Sequence, residues 1–148
     1  MYKHLLIATD GSDLARHAIR EGIGLAQSLG ARATALMVTL PFHIFSTNPT
    51  MVTDTEEVYQ EDMRRQAQAC LAPAKEAAAQ QGVALEGVHR VHEHAWEAIL
   101  DTARIAGCDL IVMASHGRSG VGALLVGSQT TKVIAHSHLP VLVARPPA

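Results

Sequence analysis

MASHGRSGVGALLVGSQTTK, Met113 to Lys132, holds four glycines and three serines in twenty residues. It follows directly on the apolar run DLIVMA, Asp109 to Ala114. A short continuous apolar run bounded by turn residues reads as a strand buried on both faces. The residues from Ser128 to Ser137 then read as a helix with Ser128 at its N-cap. The chain therefore passes from buried strand to helix through a glycine-rich loop. Two explanations stand for that loop: a tight surface connection that binds nothing, or a cradle for phosphate. Glycines let backbone approach oxygen atoms closely, and a helix N-terminus presents free N–H groups and the positive end of its dipole.

Working outward, the same strand-then-helix pattern repeats along the chain. HLLIAT, His4 to Thr9, is a second run of the buried type, closed by the turn DGSD. From Leu14 to Leu29 the apolar positions Ala15, Ala18, Ile19, Ile23 and Ala26 recur at helical spacing, and Gly30 marks the end. Ala33 to Val38 is the next strand. Thr39 to Thr53, with two prolines, is the best loop candidate. A long helix is expected from about Asp54 to Gln81, with Pro73 kinking or dividing it and Gly82 ending it. Ala84 to Val91 alternates, as a half-exposed edge strand does. Ala95 to Ala106 is a short helix closed by Gly107, and Pro140 to Ala144 is the last strand.

Strands alternating with helices predict an open, Rossmann-like α/β fold: a five-stranded parallel sheet with helices on both faces. Right-handed crossovers, with the most apolar strands central, predict the order 3-2-1-4-5. At 148 residues, one domain over 1–148 is expected. In that order the connection direction reverses between the first and fourth strands. Ligands bind such sheets in the crevice outside the carboxyl ends of those strands. Here those ends are Thr9-Asp10-Gly11 and Ala114-Ser115-His116-Gly117.

Composition excludes several classes. Hydrophobic residues form 48% of the chain, enough for a packed core. A net charge of −2 and a pI near 6.5 provide no basic footprint for nucleic acid or an anionic membrane. Aromatics, at 3%, are too few to build a base-stacking platform. The apolar runs are far too short for a membrane span, and the N-terminus has no cleavage pattern, so a soluble cytoplasmic protein is expected. Cys70 and Cys108 belong to no CxxC pair and read as reduced core thiols.

Other glycine motifs fail on their spacing. Gly127 is followed by Ser-Gln, not Lys-Ser/Thr, so there is no P-loop. Gly120-Val-Gly122 lacks a third glycine, and Gly117-Arg-Ser119-Gly120-Val misses the nucleophile elbow. Nine histidines raise a metal hypothesis, densest at His89-Arg-Val-His92-Glu-His94. Strand alternation would put His92 and His94 on one face and His89 on the other, short of a ligand set. His116 is the histidine expected near a ligand. Trp96 is expected to anchor packing, while His136 and His138 lie where cations suit a helix C-terminus. Asp10 is the one carboxylate placed at the switch point, so no acid–base pair emerges.

Taken together, MASHGRSGVGALLVGS, the opening KHLLIATDGSDLARHAI and the closing HLPVLVARPP resemble the universal stress protein family in its ATP-binding branch. That branch carries Gly-x2-Gly-x9-Gly-Ser/Thr. Gly117, Gly127 and Ser128 occupy three of its positions, and Ala114 stands at the first glycine. In ordinary strand conformation an alanine there is harmless; at positive φ it is not. The resemblance implies a site in which Ala8 and Thr9 line the base side and Asp10 contacts ribose or a phosphate-bound Mg2+. Val38 would offer backbone contacts to adenine. Met113, Ala114, Ser115, His116, Gly117 and Arg118 would wrap ribose and phosphates, and Gly127, Ser128 and Gln129 would hold the phosphate tail. It further implies ATP or AMP as ligand, Mg2+ bound with the nucleotide, and a homodimer formed through the final strand, Pro140 to Ala144. A regulatory stress-response module is the expected role. A slow Mg2+-dependent ATPase and a nucleotide-independent dimeric interaction protein are the alternatives.

Overall fold

The computed structural model of the chain describes residues 1–43, 49–117 and 126–147. Five strands and four helices alternate: β1 His4–Thr9, α1 Asp13–Leu29, β2 Arg32–Thr39, α2 Pro49–Gln81, β3 Leu85–Val91, α3 Ala95–Ala106, β4 Leu110–Ala114, α4 Ser128–His136 and β5 Val141–Ala144. The strands form one sheet in the order β3-β2-β1-β4-β5, and every neighbouring pair is parallel. β1 is central: Leu5 pairs with Ala33 of β2 on one side and with Leu110 of β4 on the other. Two buried faces explain why β1 and β4 read as continuous apolar runs, and an edge position explains why β3 alternates.

Side chains leave a strand on alternate faces, so successive residues of β1 enter different cores. Leu5 and Ile7 pack with Ile19 and Ile23 of α1 and with Ala67, Leu71, Ala74 and Ala78 of α2. Leu6 packs with Leu36, Ile111, Ile99 of α3 and Val133 of α4. The sheet is thus covered by α1 and α2 on one face and α3 and α4 on the other. Leu5, Leu6, Ile7, Ile111 and Val112 are among the most completely buried side chains. Each contributes about 1.5–3 kcal/mol by leaving water.

Four expectations need correction. The loop after β2 is shorter than Thr39 to Thr53, because α2 already begins at Pro49; residues 44–48 lie outside the described residues. Proline is well suited to a helix start, where its missing N–H would have had no partner. Pro73 does not divide α2, which runs as one element of 33 residues. Packing of the flanking Leu71 and Ala74 against the sheet holds the helix through it. β3 stops at Val91, so His92 and His94 are not on a strand. Finally, Gly127, not Ser128, is the N-cap of α4; Ser128 is the first helical residue, and the helix ends at His136.

Candidate functional site

The reversal between β1 and β4 opens a cavity of about 460 Å³ at the carboxyl ends of β1, β2 and β4. Ala8, Thr9 and Asp10 line it from β1, Val38 from β2, Met113 and Ala114 from β4, and His116 and Gly117 from the turn beyond. Gly127, Ser128 and Gln129 line it from the start of α4. Eleven of the thirteen residues expected from the sequence are therefore brought together. Ser115 is not among the lining residues: it is buried, with its N–H bonded to Ala144 O and its carbonyl accepting from Gly127 N–H at 2.6 Å. Arg118 lies outside the described residues.

Sequence reading missed Ala15, Leu36, Ala95, Ile99 and Thr130, which also line the cavity. Leu36 was within reach, since it shares a strand face with Val38 two residues away. Ala95 and Ile99 are likewise one helical turn apart on α3. Which turn of α3 meets β2, however, is a tertiary matter.

The turn after β1 is tied down locally. Asp10 Oδ1 accepts from Ser12 N–H at 3.0 Å, Thr9 Oγ1 accepts from Gly11 N–H at 3.2 Å, and Gly11 takes φ 81°. The other Asp10 oxygen lies over Gly117, where a Cβ would fall on the carboxylate. The second motif glycine is thus needed for close approach. The third answers to the same logic: a Cβ on Gly127 would come within 3.0 Å of His116 Cα and 3.4 Å of Ser115 O. Ala114 needs no such freedom. It ends β4 in register with Ala144, no non-glycine residue among those described has positive φ, and its side chain packs with Ala18, Ala144 and Leu14.

Three helix N-termini reach this cavity, and they are closed differently. Ser12 caps α1 by accepting from Ala15 N–H at 3.2 Å. The start of α3 is met by Gln129 Oε1, which accepts from Trp96 N–H at 3.0 Å. α4 begins at a glycine, which has no side chain to offer its first turn. That turn is anchored from the side instead, Thr130 Oγ1 donating to Ala114 O at 2.8 Å. An N-terminus without a side-chain cap favours an anion. Among the described lining residues the ionisable side chains are Asp10 and His116, so cationic side chains do not dominate the cavity. Leu36, Val38, Ile99 and Met113 give it an apolar wall. An apolar wall, polar turns and an open helix end together suit a flat heterocycle carrying an anionic tail.

The remaining candidates resolve into structural roles. His89 Nε2 lies 2.7 Å from Thr39 Oγ1, and burial holds its imidazole below the ordinary value. His92 Nδ1 accepts from His94 N–H, and its Nε2 lies 3.7 Å from Glu97. Among the described residues no three His, Cys, Asp or Glu converge as metal ligands. Trp96 packs against the α3–α4 core and stacks on His136, with ring centroids 4.5 Å apart. Burial pushes the Cys108 thiol up to about 11, which makes it inert at neutral pH.

Comparison with known proteins follows the same outline. The family model described as the universal stress protein family matches residues 1–145. A universal stress protein of Thermus aquaticus, from the QAH/OAS sulfhydrylase 3' region, is 35% identical over 98% of this chain and 100% of its own. The solved structure of MJ0577 from Methanocaldococcus jannaschii is 26% identical, with a TM-score of 0.84 over 100% of this chain and 99% of that chain. Two further structures share the fold. A universal stress protein in complex with cAMP has a TM-score of 0.72 at 22% identity, over 99% of both chains. One from Archaeoglobus fulgidus in complex with dAMP has 0.69 at 20% identity, over 97% of this chain and 98% of that one.

Proposed function

The chain belongs to the universal stress protein family, and we propose that it binds an adenine nucleotide, ATP with Mg2+ or AMP, in the switch-point cavity. The observation that carries this reading is the pairing of an apolar wall with a helix N-terminus that begins at a glycine, in one cavity of about 460 Å³. The two relatives solved with cAMP and dAMP, both adenine nucleotides, support it. Adenine would lie against Leu36, Val38 and Ile99, and the phosphates against Gly127, Ser128 and Gln129. A divalent cation beside the phosphate tail would offset the repulsion between the tail and the Asp10 carboxylate. Mg2+ bound with the nucleotide would do so. The role that follows is a cytoplasmic stress-response module that reports nucleotide state by binding.

A homodimer belongs to the same proposal. β5 ends the sheet, Leu142 on it is 37% exposed and Ile134 of the adjoining α4 is 49% exposed. An apolar edge strand of this kind is covered by pairing with a second copy.

The test is calorimetric titration of nucleotide-stripped protein with ATP and AMP, with and without Mg2+, beside Gly127→Val. Micromolar ATP binding that the variant loses is the expected result. No heat with any nucleotide, from folded protein, would overturn the reading and leave a nucleotide-independent partner-binding module.

A further inference from the structure

β1 and β4 separate before either strand ends. Their pairing runs from Leu5–Leu110 to Ile7–Val112, yet β1 continues to Thr9 and β4 to Ala114. Ala8, Thr9, Met113 and Ala114, the residues past the split, all line the cavity. Parting two strands leaves backbone groups without ladder partners, and buried ones must find others. In a parallel strand, successive residues direct their N–H and C=O groups to opposite neighbours. The N–H groups of Ile111 and Ser115 donate to Pro140 O and Ala144 O, on the β5 side. Ala114, out of phase with both, therefore turns its carbonyl toward β1 and into the split.

That carbonyl is taken up by α4. Thr130 Oγ1 donates to Ala114 O at 2.8 Å, and Gly127 N–H donates to the next carbonyl, Ser115 O, at 2.6 Å. Ala114 and Thr130 are 8% and 3% exposed, so the bond is shielded from bulk water. The Thr130 hydroxyl stands where an N–H of β1 would stand in an unsplit sheet.

We infer that Thr130 is a positioning residue of the cavity: its hydroxyl replaces the ladder bond lost where β1 and β4 separate, and so fixes the end of β4 against the first turn of α4. The inference rests on the nucleotide reading above and adds to it a residue that acts through the two walls it joins. Without the hydroxyl, Ala114 O would take up a water from the cavity, and a ligand would have to displace that water on entering.

Three substitutions at Thr130 and a control test this. Thr130→Val keeps the branched shape without the hydroxyl, Thr130→Ala removes the hydroxyl with a smaller side chain, and Thr130→Ser keeps it. Val133→Ala is the control for lost stability, since Val133 is fully buried on the same helix and does not line the cavity. Each variant and the wild type are titrated with Mg2+-ATP well below their melting temperatures, which are recorded alongside. Thr130→Val and Thr130→Ala are expected to bind about 3- to 10-fold more weakly, the range for losing one neutral hydrogen bond. Thr130→Ser stays within about twofold of wild type, and so does Val133→Ala although it melts lower. Wild-type affinity in either hydroxyl-free variant would overturn the inference while leaving the nucleotide reading intact. Binding by Thr130→Ser as weak as by Thr130→Val would also overturn it, because the methyl and not the hydroxyl would then carry the effect. An equal loss in Val133→Ala would do the same, as the mark of a general loosening of α4. A wild type that binds no ATP overturns the nucleotide reading and this inference together.

Discussion

At the scale of single residues, the glycine motif separates into positions with different physical demands. Gly117 has no room for a methyl because the Asp10 carboxylate occupies that space. Gly117→Ala is expected to displace Asp10 and weaken Mg2+-ATP binding by about tenfold, with about 1–3 kcal/mol of destabilisation from overpacking. Calorimetry and thermal melting read the two effects. Ala114 is the contrasting case, an ordinary strand residue in a small alanine cluster. Ala114→Gly is expected to leave nucleotide affinity within about twofold, below the effect of one lost contact, and to cost about 0.5–1 kcal/mol of stability. A marked gain in affinity from that change would show that the methyl obstructs the site.

At the scale of elements, α2 is the part whose sequence and structure pull apart. Proline inside a helix removes one hydrogen bond and clashes with the preceding turn, a penalty of about 3 kcal/mol against alanine in an isolated helix. Here the burial of Ala67, Leu71, Ala74 and Ala78 against the sheet outweighs it. Pro73→Ala should recover part of that penalty, about 1 kcal/mol, and raise the melting temperature by about 2–4 °C. A lower melting temperature would mean that the core is fitted to the proline's geometry. α3 and α4 offer a different reading. Trp96 is the sole tryptophan and stacks on His136, so its emission reports the spacing of these helices. His136→Ala should shift that emission to the red by exposing the indole.

For the whole molecule, pH dependence follows from histidines inside the fold. Burial, and then the Arg32 charge, lower the His4 value below its ordinary 6.5; burial alone lowers that of His89. The unfolded chain therefore takes up these protons first. The stability they confer is fully present above pH 6.5 and is lost as pH falls from there through the folded-state values. Burial alone would raise Asp109, but N–H bonds from Lys3 and His4 hold it below its ordinary 3.8, so a second loss sets in beneath that pH. Denaturant midpoints measured from pH 8 to pH 3 should fall in those two steps. The quaternary prediction belongs here as well: Leu142→Lys should convert a sedimenting dimer to monomer without lowering its helical signal.

The helix-ending glycines were legible in the sequence from local signals, the strand order from apolar patterning with crossover handedness, and much of the cavity lining from the switch point together with the family resemblance. Continuous apolar runs mark β1 and β4 as central, alternation marks β3 as an edge, and the glycine spacing places the turn against α4. The start of α2 at Pro49 and the cap of α4 at Gly127 follow local signals that the sequence analysis weighed differently, while the passage of α2 through Pro73 was decided by packing that no local pattern encodes. The same holds for Leu36 and Ile99 in the cavity wall and for the bond from Trp96 to Gln129. Those contacts join residues far apart in the chain. Their geometry exists only once two helices have been laid on the same face of the sheet.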